Sequence, residues 1–256
     1  MNISFEHLTY EYPGSGRFCL GPLNLSFDAS GCTALVGSNG SGKTTLIRIL
    51  LRQITGADGA YSIDSSAADI PPGDFLSRFG VGYAPEYPVL DEVLSGSENL
   101  EVVRELRGVS HDLFRERMEL FRRYLFLDDW FELKPCSEYS QGMRKKVSLM
   151  VAFMSASRFL VLDEPTNGLD PASVYGVKQL VSVFRQEGTG TLVSSHVLDF
   201  VEKLADVVII LKRGDSLFCG TLDQLRDRWP GKALDEVYFS LFTGDSDGTR
   251  VVKNDK

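Results

Sequence analysis

The sequence predicts an α/β fold built on a mainly parallel sheet, and three observations carry that reading. Short continuous apolar runs such as "CTALVG" (32–37) and "FLVLDE" (159–164) have the composition of strands buried on both faces. They alternate with segments of helical period, the order from which parallel sheets are built. At the N-terminus the pattern changes: "ISFEHLTYEY" and "LNLSFD" alternate apolar and polar residues, as half-buried strands do.

These N-terminal strands form an antiparallel β subdomain attached to the side of the parallel sheet. After the strand at 32–37 comes a Gly-rich loop, and then Leu46, Ile49, Leu50 and Ile54 at the spacings of one helix face. "FGVGYA" (79–84) is a further short buried strand. The chain then turns helical: "SENLEVVRELRG" and "HDLFRERMELFRRYLF" repeat apolar residues every three and four positions, with Ser97 and Ser110 as their N-caps. Another helix runs to about residue 156 and leads into "RFLVLDE" (158–164). A helix begun by Pro171 precedes two more buried strands, "TLVSS" (191–195) and "DVVIIL" (206–211). This order predicts one domain over residues 1–230, with a helical insertion at about 90–155, and a short C-terminal extension over 231–256. No internal repeat is found, and the closing "GDSDGTRVVKNDK" is polar and Gly-rich, a composition that frays.

Composition bounds the function. The 256 residues can bury a large core, and 43% hydrophobic with 24% charged residues is ordinary for a globular protein. A formal net charge of −8 argues against a nonspecific nucleic-acid binder. Cys19, Cys32, Cys136 and Cys219 are scattered without a CxxC pair, which predicts reduced thiols packed as small apolar side chains. The start, "MNISFEHLTY", lacks the basic and apolar regions of a signal peptide. The longest apolar run, "VSLMVAFM", falls well short of the roughly 20 residues that cross a bilayer, so any work at a membrane is predicted to go through a partner.

Two motifs carry the chemistry. "GSNGSGKTT" (37–45) matches G-x-x-x-x-G-K-[ST] between a buried strand and a helix, the context that motif demands. Gly37, Gly40 and Gly42, with Ser38, Asn39 and Ser41 between them, let successive backbone N–H groups converge on phosphate oxygens, helped by the positive end of the helix. Lys43 is expected to reach the β- and γ-phosphates of a nucleotide and Thr44 to offer its hydroxyl to Mg²⁺, with Thr45 among the nucleotide-binding residues. In "FLVLDE" an apolar strand delivers two carboxylates to the carboxyl edge of the sheet, where open α/β sheets bind ligands. Asp163 is placed to hold Mg²⁺ and Glu164 to polarise an attacking water. Taken alone, the same pattern also describes a strand ending in two solvated acids.

A third stretch, "EYSQGMRKK" (138–146), opens a helix about a hundred residues after the first loop. Ser140 and the N–H groups around Gln141 and Gly142 offer a second anion site at a helix N-terminus. Within one chain the insertion cannot easily fold over the same nucleotide. In a head-to-tail dimer, Ser140 of one copy can cap the γ-phosphate held by the other. The alternative is a capped surface helix with a solvated basic face made by Arg144, Lys145 and Lys146.

With these motifs in order, the chain resembles the ATP-binding subunit of ATP-binding-cassette (ABC) transporters over about residues 3 to 226, most like exporter-type, ABC-2-like ATPases. "GSNGSGKTT" looks like Walker A, "FLVLDE" like Walker B, and "YSQGM" like the signature whose common form is LSGGQ. "NGLD" (167–170) resembles the D-loop, and "SSH" (194–196) the switch ending in histidine. The resemblance implies a P-loop NTPase, RecA-like core that binds ATP and Mg²⁺ and hydrolyses ATP. It implies that His196 contacts the γ-phosphate, that Asp170 contacts the opposite subunit, and that Tyr12 stacks on adenine. As a lone histidine after a strand, His196 also fits a structural role; Tyr10 is the alternative to Tyr12, and either ring also fits a core position. Partners implied are a second ATPase subunit, identical or not, and a membrane-spanning permease; the chain would then sit in the cytoplasm, peripheral on the inner face of the cell membrane. The competing class is a soluble ABC ATPase with a non-transport role such as cluster assembly.

The sequence departs from the family pattern twice. The signature has Tyr139 and Gln141 where Leu and Gly are common, and Gln141 lacks glycine's conformational freedom. In "GYAPEYP" (82–88) Glu86 replaces the Q-loop glutamine; a carboxylate can still ligate Mg²⁺ but cannot donate a hydrogen bond. "ALDEVYFSLF" (233–242) resembles the C-terminal end of exporter ATPases, and equally fits an amphipathic helix docked on its own domain.

Overall fold

The computed structural model describes residues 1–14, 19–63 and 71–243. Its N-terminal sheet pairs β1 (Asn2–Glu11) antiparallel with both β2 (Cys19–Asp28) and β4 (Asp58–Ile63), in the order β2-β1-β4. The larger sheet contains β3 (Cys32–Val36), β5 (Val81–Ala84), β6 (Phe159–Asp163), β7 (Gly190–Ser195), β8 (Val207–Lys212) and β9 (Asp215–Thr221). Its order is β5-β6-β7-β3-β8-β9, parallel throughout except for β9, which runs antiparallel along β8 at the edge. This is the α/β architecture with a mainly parallel sheet and an antiparallel β subdomain that the strand patterns predict.

The helices are α1 (Lys43–Leu50), α2 (Phe75–Arg78), α3 (Gly96–Arg107), α4 (His111–Leu125), α5 (Trp130–Leu133), α6 (Gln141–Ser155), α7 (Pro171–Gln186), α8 (Leu198–Glu202), α9 (Leu222–Arg228) and α10 (Leu234–Thr243). Side chains alternate across a strand, so β3 sends Ala34 and Val36 into one core and Leu35 into another. The first core lies between the sheet and α4, α6 and α7; the second between the sheet, α1 and the β1–β2–β4 layer. Both faces of the parallel sheet are covered, which is why its strands read as continuous apolar runs.

Four local expectations change. The N-cap of α3 is Ser95, not Ser97: Ser95 Oγ accepts from Glu98 N (3.2 Å) while Glu98 Oε2 accepts from Ser95 N (2.8 Å), a reciprocal capping box that Ser97 cannot form from inside the first turn. Ser110 caps α4 as predicted, accepting from Leu113 N at 3.2 Å. Helix α1 stops at Leu50 and Arg52 turns to φ +57, so Ile54 packs on the second core from a loop rather than from the helix face. The four thiols are free, but Cys19 is exposed on β2, whereas Cys32 and Cys136 are buried. The strand patterns also pass over β4, which is largely exposed, and the edge strand β9.

Helix α10 docks on its own domain through buried Leu234 and Val237, and Lys212 Nζ donates to the Phe242 carbonyl at 2.6 Å. The polar tail predicted to fray falls in residues 244–256, outside the described residues. No helix among the described residues is long and apolar enough to cross a membrane.

Where α4, α6 and α7 meet, Phe153 lies between Phe121 (ring centroids 6.4 Å) and Phe184 (4.8 Å), and is 1% exposed. Phe153→Ala leaves a cavity that helices anchored at both ends cannot close, and is expected to cost about 3–5 kcal/mol of unfolding free energy. Urea denaturation followed by circular dichroism measures it; a loss near that of an exposed truncation would place the helix junction elsewhere.

Candidate active site

Strand β3 ends at Val36 and the chain turns through residues 37–42 into α1. The N-cap, Gly42, sits at φ +109, a conformation that L side chains rarely adopt, so the loop needs glycine there to aim its N–H groups inward. Lys43 is 6% exposed and curls back over the loop: Nζ donates to the Gly37 carbonyl (2.7 Å) and the Ser38 carbonyl (3.4 Å). It also pairs with Glu164 Oε1 at 3.1 Å. Thr44 is half-buried and Thr45 buried, while Ser38, Asn39 and Gly40 are exposed at the rim. Ser41 Oγ is buried without a hydrogen-bond partner.

The acidic pair hangs from the end of β6. Asp163 is fully buried; its Oδ1 accepts from the Ser194 hydroxyl, and its Oδ2 is buried without a hydrogen-bond partner. Glu164 leaves the strand at φ +46, a strained conformation for a side chain of this size, and its N–H is held by Ser194 Oγ (2.9 Å) and the Ser194 carbonyl (3.2 Å). Its second oxygen, Oε2, lies 2.8 Å from His196 Nδ1, so a Lys43–Glu164–His196 chain crosses the floor of the site. Lys43 and Glu164 are buried and offset each other's charge; His196 is about half exposed (48%).

Lys43 and Glu164 face a cleft of about 450 Å³ bounded also by Tyr12, residues 39–45, Glu86 and Tyr87, while Asp163 and His196 are not among its lining residues. Tyr12 packs edge-on against Tyr10 (centroids 5.0 Å) and its hydroxyl lies 3.3 Å from Thr45 Oγ1, so of the two tyrosines Tyr12 is the one lining the cleft. Glu86 is half-buried in the loop after β5. An unpartnered carboxylate oxygen on Asp163, with hydroxyl and carboxylate oxygens at Thr44 and Glu86, is a hard-oxygen donor set of the kind that suits Mg²⁺ together with phosphate.

Ser140, Gln141, Gly142 and Asp170 do not line this cleft. Ser140 is the exposed N-cap of α6, accepting from Met143 N at 3.2 Å. Gln141 is the first residue of α6 and has no positive φ, so the loss of glycine there carries no conformational cost. Gly142 does need to be glycine: a Cβ would stand 2.7 Å from the Gly168 carbonyl, so α6 and the loop at 167–170 touch backbone to backbone. Asp170 caps α7, accepting from Ser173 N (2.8 Å) and Ser173 Oγ (2.7 Å), and the backbone bond holds its carboxyl below the usual range.

Tyr139 explains its own presence. Its hydroxyl accepts from Gly96 N (2.8 Å) and lies within donor reach of the Trp130 (3.1 Å) and Phe131 (3.3 Å) carbonyls, anchoring the start of α6 to α3 and α5. Three side chains have surroundings that their motifs do not reveal. Ser194 positions both acids, a task visible only once Asp163 and Ser194 pair across β6 and β7. Tyr83 is pushed up to about 12 by burial, with the Asp163 charge adding to it, and keeps its proton. Lys145 is 1% exposed rather than part of a solvated basic face, and burial brings it down to about 8 against the pull of Asp163, Glu86 and Glu164.

Comparison with known proteins places this geometry. The family pattern described as ABC transporter matches residues 20–167. The ABC-type transporter ATP-binding protein EcsA of Bacillus subtilis is 30% identical over 227 residues, covering 87% of this chain and 91% of its own length. The human phospholipid-transporting ATPase ABCA7 is 32% identical over 224 residues, a match to 86% of this chain but only 10% of that much longer protein. A solved structure of an ATP-binding subunit of an ABC transporter superposes with a TM-score of 0.82 at 28% identity, over 94% of this chain and 100% of the other.

Tyr139→Phe removes the partner of a buried Gly96 N–H and is expected to cost about 1–3 kcal/mol of stability. Because residue 139 lies outside the cleft, affinity for a fluorescent ATP analogue should stay unchanged in the same preparation. A weakened affinity at intact stability would tie Tyr139 to the ligand instead of to α3.

Proposed function

This chain belongs to the ABC transporter family as an ATP-binding, ATP-hydrolysing subunit, and we propose that the cleft beside α1 is where it binds MgATP. The observation that carries this is the Lys43–Glu164–His196 chain at the N-terminus of α1, where a phosphate-seeking ammonium is held by the carboxylate next to it. Lys43 and the loop amides of residues 40–44 bind the phosphates, and Tyr12 offers its ring to the base. Arrival of the phosphates draws Lys43 away from Glu164 Oε1, and the released oxygen orients a water and takes its proton as the water attacks. His196, whose Nδ1 lies 2.8 Å from Glu164 Oε2, holds that carboxylate in place beside the γ-phosphate. When bound, Mg²⁺ neutralises charge building on the β- and γ-phosphates; Thr44, Asp163 and Glu86 are the residues that would hold it. Catalysis is then mostly positioning and charge stabilisation.

Hydrolysis in this scheme needs a second subunit, because Ser140, Gln141 and Gly142 lie away from their own cleft and exposed Ser140 has room for a phosphate from elsewhere. A head-to-tail pair, of identical or related chains, brings Ser140 of each to the γ-phosphate of the other, with Asp170 at the shared boundary. Closing and opening of that pair drives a separate permease. Tyr87, Val89 and Val93 stand 75%, 85% and 83% exposed just past Glu86, a surface suited to a permease's cytoplasmic helices. That contact holds the subunit on the inner face of the membrane. The similarity to ABCA7, named for phospholipid transport, supports an exporter-type permease over a soluble role such as cluster assembly.

Glu164→Gln should keep ATP binding and lower turnover by about two to four orders of magnitude, the scale of a general base. Single-turnover hydrolysis with purified protein measures it, and a rate near wild type would remove Glu164 from the chemistry.

The two-chain arrangement has its own readout. Glu164→Gln should accumulate an ATP-dependent dimer, and adding Ser140→Arg should return it to monomer while nucleotide binding persists. Light scattering with ATP distinguishes the two; a dimer that survives Ser140→Arg would mean Ser140 does not face the partner's nucleotide.

A further inference from the structure

We propose that Lys145 is a positioning residue that ties the loop carrying Glu86 and the acidic end of β6 to the helix that presents Ser140. Its neighbours in the basic run are partly buried and pair with acids: Arg144 makes a two-pronged pair with Glu92 (2.6 and 2.8 Å), and Lys146 lies 3.8 Å from Asp170. Lys145 points inward instead. Its Nζ donates to the Pro85 carbonyl (3.0 Å), the Glu86 carbonyl (3.3 Å) and the Asp163 carbonyl (3.0 Å), which accounts for all three protons of an ammonium.

A fully buried lysine is rare, and among the described residues this one forms no ion pair to offset its desolvation. An apolar side chain of similar volume would fill the space at lower cost. The three carbonyls belong to two segments that follow neighbouring strands: the turn after β5 and the last residue of β6. The ammonium holds them at one point. That point is carried by α6 five residues after Ser140, about 7.5 Å along a rigid helix. Movement of the Glu86 loop is therefore passed to Ser140, and the cleft of one subunit is linked to the motif that serves the other's.

This inference rests on the ATP-hydrolysis reading of the cleft. Lys145→Met and Lys145→Gln test it, because Gln has similar length and keeps two donors while Met keeps none. Lys145 does not line the cleft, so neither change should move the ATP dissociation constant. Lys145→Met should lower kcat by about 10- to 100-fold, the scale of a small misplacement of catalytic groups. It should leave KM near wild type and prevent the ATP-dependent dimer in a Glu164→Gln background. Lys145→Gln should recover a measurable part of each. The proposal is overturned if folded Lys145→Met turns over and dimerises like wild type, if Gln rescues nothing, or if both variants fail to fold, which would leave Lys145 a stability residue. Glu164→Gln run alongside separates the two ideas: full activity there rejects the catalytic reading itself, whereas an inactive Glu164→Gln beside a normal Lys145→Met rejects only the role of Lys145.

Discussion

Every group in the site depends on the parallel register of four neighbouring strands. Val36 pairs with Ser195, Asp163 with Ser194, and Ala84 with Leu162, so β3, β7, β6 and β5 release their chains at one edge of the sheet. From that edge come the glycine-rich loop, the acidic pair, His196 and Glu86, each beginning within a residue or two of a strand end. A parallel sheet needs a crossover between successive strands, and the crossovers cover both faces with apolar helices. The result is a rigid apolar platform with all its polar commitments at the rim, where ligands of open α/β sheets bind.

At that rim, charges are buried and must be met by one another. Lys43 is answered by Glu164, Glu164 also by His196, Asp163 by Ser194, and Lys145 by three carbonyls. Low polarizability makes each contact strong and each vacancy costly, which favours a site whose partners can be exchanged but not simply lost. Glu164 adds backbone strain at φ +46, held by two bonds from its N–H to Ser194. Strain of this kind persists only where the surroundings over-determine it. Ser194 is thus a centre of the arrangement, touching Asp163 through its side chain and Glu164 through both side chain and backbone.

The second functional edge is organised by close approach rather than charge. Gly142 and Gly168 let α6 meet the loop before α7 at backbone contact, and Tyr139 pins the same helix to α3 and α5. The exposed N-terminus of α6 is therefore held from two sides while its cap residue stays accessible. Arg144 joins this brace by pairing with Glu92 in the segment that follows the exposed apolar residues Tyr87 and Val89. One helix so connects the exposed apolar residues after β5 with the exposed Ser140.

The sequence by itself determined the strand–loop–helix motifs, because each is local: a buried strand, a glycine-bearing turn and a helix N-terminus lie within a dozen residues. It likewise determined the caps at Ser110 and Ser140 and the alternation of helices with parallel strands, whereas the cap that Asp170 makes on α7 came only from the structure. It misplaced the α3 cap by two residues, since Ser95 and Ser97 differ only in whether Glu98 can reach back. It could not show β9, whose identity as a strand comes from pairing with β8, nor Ser194 beneath the acids, which depends on register across two strands. It could not show that Tyr12 rather than Tyr10 lines the cleft, because that depends on how the small sheet is set beside α1. Least legible was Lys145. In a run of three basic residues all look solvated; only the rotation of α6 against the ends of β5 and β6 turns the middle one inward, where three carbonyls replace water.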